Sequence, residues 1–292
     1  CVILYGDTNS TLSGAVAASK LHVPVVHIEA GMRSFNKSMP EEINRIICDH
    51  CSTLLFSPTK TGINNLIKEG FNVNNKPPFT ADNPGIFHCG DVMLDNTLFF
   101  SKTAKTNTTI IKQLGLKNRR FVLVTIHRPV NTDDTKRLIS IFKALISLAE
   151  TKDINIVIPL HPRTSKIIQH IPDISLKEKL SQNDKIKLIP AVSFLEMVAL
   201  EEASSMIITD SGGVQKEACF LNKPCIILRK ETEWVEIVES GCTILVDADE
   251  KKIIDAFLQL NDIRKFNFPD IFGDGKAAEF IVNEIIKAFE RL

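Results

Sequence analysis

One short segment combines residue types that could bind an anion. In MIITDSGGVQKEA (206–218), an apolar run leads into Asp-Ser-Gly-Gly, after which a helical pattern begins. A helix that begins here presents unpaired backbone N–H groups and the positive end of its dipole, and glycine lets a phosphate approach closely. Ser211 could cap this helix or donate to the phosphate, and Asp210 could cap it or anchor the loop. For the segment alone, a tight turn that needs small residues is the alternative.

A second candidate segment is TIHRPVNTDD (125–134). His127 and Arg128 follow a β-branched run, and Asn131 or Thr132 is a natural N-cap for the next helix. A lone histidine in this position is more often a structural hydrogen-bonding residue. The adjacent arginine favours a diphosphate partner, because arginine binds phosphate through two parallel hydrogen bonds.

Carboxylates form the third group of candidates. Asp7 and Glu29 each end an apolar run, so adjacent parallel strands could bring both into one cleft. Carboxylates that meet in a partly dry cleft have their pKa values pushed apart, which assigns a general acid and a general base. Capping of a following helix is the alternative for each. Glu41 and Glu42 follow Pro40, and this spacing alone predicts ordinary capping of a helix N-terminus.

Composition excludes several classes of protein. Among 292 residues, lysine plus arginine and aspartate plus glutamate number 35 each, so no net charge attracts nucleic acid or an anionic membrane. The apolar runs are far shorter than the roughly 20 residues of a membrane span. Seven cysteines scattered among apolar residues indicate reduced thiols in a cytoplasmic protein. Cys48-Asp49-His50-Cys51 imitates a metal motif, but no second pair lies at ligand spacing, so we predict no metal site.

Short β-branched runs alternate with longer helical patterns along the chain. This alternation predicts βαβ units and parallel sheets, with ligands beyond the carboxyl ends of the strands. The residues directly after the runs are mostly polar or glycine, and they include Arg229. The predicted strands are Val2 to Tyr5, Val23 to Ile28, Thr53 to Phe56, Ile86 to Cys89, Phe121 to Ile126, Ile154 to Leu160, Ile186 to Ile189, Met206 to Thr209, Cys225 to Leu228 and Thr243 to Val246.

The chain is long enough for two domains. The segment 101–120, rich in Lys, Thr and Asn, is the best candidate for a linker. We therefore predict a first domain at 1–105 with four strands and a second at 106–275 with six. A final helix at about 276–292 could pack on either domain.

Several separated motifs together resemble one family. YGDTNST, HIEAGMRSFN with MPEEINR, LLFSPT, TIHR, TDSGGVQKEA and FGDGKAA occur in the order and approximate spacing of the non-hydrolysing UDP-N-acetylglucosamine 2-epimerases. The resemblance runs the length of the chain. It implies an α/β fold of two Rossmann-like domains in the GT-B arrangement, a UDP-sugar bound between them, and a homodimer. It also implies that roughly the first fifth of the family's chain, including a basic loop, precedes Cys1, so the first domain is incomplete at its N-terminus.

The resemblance also implies roles for individual residues. Asp7, Glu29 and Glu41 match the family's active-site carboxylates, and His127 matches its catalytic histidine. This replaces capping as the expectation for Glu41. The residues that would bind substrate, including a diphosphate and ribose, are Arg45, Arg128, Ser211, Gly212, Gly213 and Glu217.

Two further departures from the family pattern leave the substrate open. Val130 stands where a glutamate is common, and Trp234-Val235 replaces Arg-Pro. These forms look more like relatives that act on derivatives of UDP-N-acetylglucosamine, including the diacetamido glucuronic acid. We expect both changes to fall near the sugar and the nucleotide.

The expected reaction is inversion at C2 of a UDP-N-acetylhexosamine, through loss and return of UDP. It would need no metal or nicotinamide cofactor, because the helix dipole and basic side chains meet the charge of the diphosphate. The product would supply cell-surface polysaccharide synthesis. The alternatives are a hydrolysing epimerase that releases UDP, a GT-B glycosyltransferase, and a UDP-sugar binding protein without catalysis.

Overall fold

The computed structural model describes residues 1–290, and these form two compact units. The first unit contains Cys1–Leu98 and the segment that begins at Asp270, and the second contains Phe99–Pro269. Each unit is built around a parallel β-sheet. No helix within residues 1–290 is both long and apolar enough to cross a membrane.

The first unit has a four-stranded sheet in the order β1-β2-β3-β4, and every neighbouring pair is parallel. The short apolar runs form its strands, and the amphipathic stretches between them form the helices. In chain order the elements are β1 (Val2–Tyr5), α1 (Asn9–Lys20), β2 (Val25–Ile28), α2 (Pro40–His50), β3 (Leu54–Ser57), α3 (Lys60–Lys68), β4 (Gly85–His88) and the first part of α4 (Val92–Asn107), a helix that continues into the second unit.

The second unit has a six-stranded sheet in the order β10-β9-β8-β5-β6-β7, again parallel throughout. All ten predicted strands are therefore present, with ends that differ from the prediction by at most two residues. The elements are α5 (Ile110–Gln113), β5 (Phe121–Thr125), α6 (Pro129–Thr132), α7 (Thr135–Lys152), β6 (Asn155–Leu160), α8 (Pro162–Gln169), α9 (Ile174–Gln182), β7 (Ile186–Pro190), α10 (Phe194–Ala203), β8 (Met206–Thr209), α11 (Gly212–Phe220), β9 (Cys225–Ile227), α12 (Val235–Glu239), β10 (Thr243–Leu245) and α13 (Glu250–Asp262).

Helices cover both faces of the second sheet. In β5, Val122 and Val124 pack into one apolar cluster with α7, whereas Phe121 and Leu123 pack into another with residues of α10 and α11. A strand buried on both faces is a continuous apolar run instead of an alternating one. This explains why β5 contains no charged residue and why the side chains that could do chemistry come only after it.

The order of strands in the second sheet reverses between β5 and β8. The chain runs from β5 outward through β6 and β7, and then continues on the other side of β5 with β8, β9 and β10. In sheets of this kind a crevice opens at the carboxyl ends of the two central strands, and ligands bind there. The segments that begin at Ile126 and Asp210 both start at this point. The fold thus brings together the two segments that the sequence suggested for anion binding.

The predicted linker at 101–120 is wrong in part, because much of it is helical. Helix α4 continues to Asn107 and α5 follows at 110–113. Ala104 is wholly buried in the core of the second unit. Burial of this half of α4 explains why the two units divide at Leu98, seven residues before the predicted boundary at 105.

The predicted C-terminal helix is α14 (Ala277–Phe289), and residues 291–292 of that prediction lie outside the described residues. Its Ile281 packs with Val26, Leu54 and Phe56 on one face of the first sheet. The helix therefore completes the apolar core of the first unit.

Candidate functional site

Asp7 lies directly after β1, at the carboxyl end of the first sheet. Gly6 has a φ of 72°, a backbone conformation that glycine adopts without strain, and it turns the chain out of the strand. The Asp7 carboxylate forms an ion pair with Arg45 of α2, and Asn44 Nδ2 donates to the Asp7 carbonyl at 2.8 Å. Arg45 and Asn44 thus fix the position of Asp7 relative to α2.

Glu29 lies at the same end of the neighbouring strand. It has a φ of 76°, and its backbone N–H donates to Phe56 of β3 at 3.0 Å. A Cβ placed on Gly6 would lie 3.5 Å from Oε2 of Glu29. The Glu29 carboxylate is therefore beside the backbone that leads into Asp7. The structure thus brings these two predicted carboxylates to one edge of the first sheet.

Glu41 and Glu42 have different environments in the first turn of α2. Glu42 is buried, and it accepts hydrogen bonds from the backbone N–H groups of Ser34 at 2.8 Å and Phe35 at 2.9 Å. These contacts hold the loop before α2. Glu41 is half-buried and lies four residues before Arg45, hence on the same face of the helix. Glu42 also accepts a hydrogen bond from Arg45 Nη1 at 3.3 Å, so Arg45 joins Glu42 to Asp7.

A buried charged cluster lies behind these carboxylates, and the sequence reasoning missed it. His27 Nδ1 is 2.6 Å from Asp49 Oδ1, and Arg33 Nη2 donates to Asp49 Oδ2 at 2.7 Å. Burial alone would lower the pKa of His27, but the Asp49 carboxylate outweighs it and raises that pKa. Burial would raise the pKa of Asp49, and His27 and Arg33 together hold it below its usual value.

Asp49 belongs to the Cys48–Cys51 segment that imitates a metal motif. Its carboxylate is committed to His27 and Arg33. Within residues 1–290, no three His, Cys, Asp or Glu side chains are grouped so as to hold a metal ion. The signal that could have identified Asp49 is its place beside the buried Cys48, on the inner face of an amphipathic helix.

In the second unit, Asp210 organises the turn that carries His127 and Arg128. Asp210 is wholly buried, and its carboxylate accepts hydrogen bonds from the backbone N–H groups of His127 at 3.1 Å and Arg128 at 3.0 Å, and from Asn131 Nδ2 at 3.0 Å. The imidazole Nδ1 of His127 lies 3.4 Å from Asp210 Oδ1, and 49% of the His127 side chain is exposed. Asp210 therefore holds this turn and leaves the capping of α11 to Ser211.

Ser211 is the N-cap of α11, and its Oγ accepts a hydrogen bond from Val214 N–H at 3.4 Å. The next amide, Gln215 N–H, donates to the Ser211 carbonyl at 3.3 Å. Helix geometry gives the first amides, those of Gly212 and Gly213, no partner within the helix. These N–H groups and the helix dipole favour an anion in front of α11.

Two guanidinium groups converge on the same helix end. A Cβ placed on Gly212 would lie 3.8 Å from Arg128 Nη2 and 3.8 Å from Arg229 Nη1. Arg229 is buried and pairs with Glu233 at 3.0 Å, which fixes its orientation. The prediction did not include Arg229 among the binding residues. Its position soon after the end of β9 was the signal.

Glu217 is half-buried on α11, about one and a half turns from the helix start. Glu201 of α10 is wholly buried, and this burial together with the neighbouring Glu217 carboxylate raises the pKa of Glu201 well above its usual value. The sequence reasoning missed Glu201, because the spacing of residues within α10 does not show that this position packs against α11.

The two departures from the family pattern lie in different surroundings. Val130 is 57% exposed on α6, two residues after Arg128. Trp234 is buried, and the Lys216 ammonium lies 4.4 Å from the centroid of its ring. This cation–π contact packs Trp234 against α11, the helix whose first residues form the anion-favouring end.

These features define an α/β protein of two Rossmann-like units, one with paired carboxylates and one with an anion-favouring helix end at a switch point. The sequence model of the UDP-N-acetylglucosamine 2-epimerase family matches residues 1–286. The chain belongs to this family.

Two relatives show the range of activities within the family. The UDP-2,3-diacetamido-2,3-dideoxy-D-glucuronate 2-epimerase of Pseudomonas aeruginosa is 43% identical over 286 residues, which cover 98% of this chain and 74% of the relative. The UDP-N-acetylglucosamine 2-epimerase of Methanocaldococcus jannaschii is 42% identical over 284 residues, 96% of this chain and 74% of the relative.

Solved structures confirm the fold class. The M. jannaschii epimerase in complex with UDP-GlcNAc and UDP matches with a TM-score of 0.83 at 41% identity, over 98% of this chain and 75% of that one. The UDP-GlcNAc 2-epimerase from Neisseria meningitidis bound to UDP-GlcNAc matches with a TM-score of 0.83 at 32% identity, over 98% of this chain and 76% of that one. The chain thus has the predicted α/β fold of the GT-B class.

Proposed function

We propose that the protein inverts C2 of a UDP-N-acetylhexosamine, without net hydrolysis, and so converts UDP-N-acetylglucosamine or a close derivative into its manno epimer. The observation that carries the proposal is the convergence of Arg128 and Arg229 on Gly212 at the switch point. Two guanidinium groups, backbone amides and a helix dipole suit the diphosphate of a UDP-sugar. Membership of the epimerase family supports the same reading.

The chemistry has to solve one problem, because the C2 proton of an N-acetylhexosamine is not next to a carbonyl. In the proposed scheme the bond between C1 and the UDP oxygen breaks as a carboxylate removes the C2 proton. The products are UDP and a sugar with a double bond between C1 and C2. Reprotonation of C2 on the opposite face and return of UDP to C1 give the epimer, so no atom is gained or lost.

The two units supply different parts of this scheme. Asp7, Glu29 and Glu41 would share proton transfer at C2, since acid–base groups must serve both faces. The ion pair with Arg45 holds the Asp7 carboxylate in position for that task.

The second unit would stabilise the departing UDP. His127 and Arg128, with the amides of Ser211, Gly212 and Gly213, would stabilise the charge that develops on the diphosphate. Glu217, farther along α11, would accept hydrogen bonds from the ribose.

The identity of the sugar is a separate proposal. The P. aeruginosa relative acts, by its name, on a diacetamido glucuronate, and the M. jannaschii relative on UDP-N-acetylglucosamine. Assays should therefore include both UDP-sugars. We also propose, from the family resemblance, a cytoplasmic homodimer that supplies cell-surface polysaccharide synthesis. Light scattering during gel filtration tests the homodimer.

The direct test is to incubate the full-length protein with each UDP-sugar and to follow the anomeric proton by NMR. We expect a new signal from the manno epimer while the total UDP-sugar stays constant. Free UDP that accumulates in step with turnover would identify a hydrolysing epimerase. Transfer of the sugar to an added acceptor would identify a glycosyltransferase, and UDP-sugar binding without turnover would identify a binding protein.

A further inference from the structure

His27 and Asp49 make a wholly buried contact that the proposed scheme does not use. His27 lies in β2 and Asp49 in α2, and neither side chain has any exposed surface. His27 Nδ1 lies 2.6 Å from Asp49 Oδ1, and His27 Nε2 lies 3.0 Å from the carbonyl oxygen of Gly6. Burying two charged groups costs free energy, so a pair of this kind calls for an explanation.

The hydrogen-bond partners fix the protonation of His27. A carbonyl oxygen only accepts, so Nε2 must carry a proton that it donates to Gly6. Nδ1 faces a carboxylate oxygen that Arg33 helps to keep ionised, so Nδ1 must carry a proton as well. His27 is therefore an imidazolium that donates in both directions.

The same pair connects the two turns that carry Asp7 and Glu29. The His27 imidazolium links Asp49 Oδ1 to the carbonyl oxygen of Gly6, the residue before Asp7. Asp49 Oδ2 accepts a hydrogen bond from the backbone N–H of Gly31, two residues after Glu29, at 3.1 Å.

Close packing makes the second of these links rigid. The Gly31 carbonyl accepts from Asn65 Nδ2 at 3.0 Å, so the peptide groups on both sides of this residue are held. A Cβ on Gly31 would lie 2.3 Å from the Gly62 carbonyl oxygen, which leaves the turn no room to move toward α3. Arg33 also pairs with Glu69 at 2.7 Å, and this second ion pair balances the charge of the cluster.

We propose that His27 and Asp49 are positioning residues that set the separation and orientation of the Asp7 and Glu29 carboxylates. The inference rests on the proposed function, because it gives these two carboxylates their catalytic task. A displacement of about 1 Å at reacting groups can cost about 100-fold in rate. The chain of hydrogen bonds from Gly6 through His27 and Asp49 to Gly31 prevents such a displacement.

The test compares His27→Gln with Asp49→Asn in the full-length protein. Both N–H donors of glutamine are on one nitrogen, whereas His27 donates to Asp49 and Gly6 from two separate ring nitrogens. We therefore expect His27→Gln to break the chain and kcat to fall about 100-fold. KM should change less than about threefold, because UDP is held by the second unit. Asparagine can keep the whole chain, since its amide donates to Nδ1 of a neutral His27 and its oxygen accepts from Gly31. Asp49→Asn should therefore retain kcat within about tenfold.

The matched control is His50→Gln, on the same helix as Asp49. His50 is 53% exposed and lies 3.9 Å from Glu69, so this variant should keep the wild-type kcat. Circular dichroism at the assay temperature shows which variants are folded. A folded His27→Gln variant with wild-type kcat would overturn the inference and leave the proposed function standing. A wild-type protein without epimerase activity would overturn both.

If His27→Gln does not fold, a spectroscopic measurement on the wild-type protein tests whether His27 donates from both ring nitrogens. In ¹⁵N NMR of the histidine-labelled wild-type protein, one ring should keep both nitrogens protonated above pH 6.5, the usual pKa of histidine. The groups that set its charge are Asp49 from α2 and Glu29 from the turn after β2. A spectrum in which every histidine ring loses a proton at or below pH 6.5 would contradict the inference.

Discussion

Gly212→Ala separates binding of the diphosphate from stability of the fold. Gly212 is the first residue of α11, and the added methyl group would meet Arg128 and Arg229 at an ordinary contact distance of 3.8 Å. The backbone there is not in the left-handed region, so alanine fits without strain. The variant should therefore fold as well as the wild type, with a gain of about 0.4–1 kcal/mol because alanine restricts the unfolded chain.

The same methyl group fills the space through which a phosphate reaches the Gly212 amide. Loss of one hydrogen bond to a charged group costs about 1.5–3 kcal/mol, which corresponds to about a 10- to 100-fold rise in the Kd for UDP. Isothermal titration calorimetry measures this Kd, and thermal unfolding without UDP measures the fold. Thr135→Ala is the control, since it places alanine at the first position of the exposed start of α7. A Gly212→Ala protein that binds UDP as the wild type does would refute the anion site.

Three further predictions concern the hydrogen bonds of Asp210 and the buried charged cluster of His27, Arg33 and Asp49. Asp210→Asn should cost about 1–3 kcal/mol in urea unfolding and lower kcat, because it turns an amide donor toward backbone N–H groups. Gly31→Ala should destabilise the first unit by more than about 2 kcal/mol, whereas Gly70→Ala, also at positive φ but in open space, should cost about 1–2 kcal/mol. The pKa of His27 is raised in the folded protein, so its contribution to the free energy of unfolding is fully present below the usual pKa of 6.5 and is lost as pH rises through the folded pKa. The pKa of Asp49 is lowered, so its contribution is present above the usual pKa of 3.8 and is lost as pH falls through the folded pKa. Urea unfolding at a series of pH values measures both effects.

The strands were predictable because local chemistry determines them. Runs such as Phe121–Thr125 and Met206–Thr209 are apolar throughout and end in polar residues or glycine, as parallel strands covered by helices must. The positions of Asp7, His127 and Ser211 followed from the same pattern, since each comes directly or soon after a strand. What the prediction could not give was the strand order that makes β5 and β8 neighbours.

The buried hydrogen bonds were not predictable, because they join residues far apart in the sequence. Asp210 accepts from His127, which lies 83 residues earlier, and His27 contacts Asp49 from 22 residues away. A charged residue in an apolar helix pattern resembles an exposed one until the packing of that helix is known. Composition also misled at 101–120, where Lys, Thr and Asn are compatible with the helix that the structure contains.

One measurement tests the proposed chemistry at C2 directly. The full-length protein is incubated with the UDP-sugar in deuterated water, and NMR follows the proton at C2 of substrate and product. Proton removal by a carboxylate that exchanges with solvent predicts deuterium at C2 of the epimerised product. Epimerised product that retains its original C2 proton would contradict the elimination of UDP through proton abstraction.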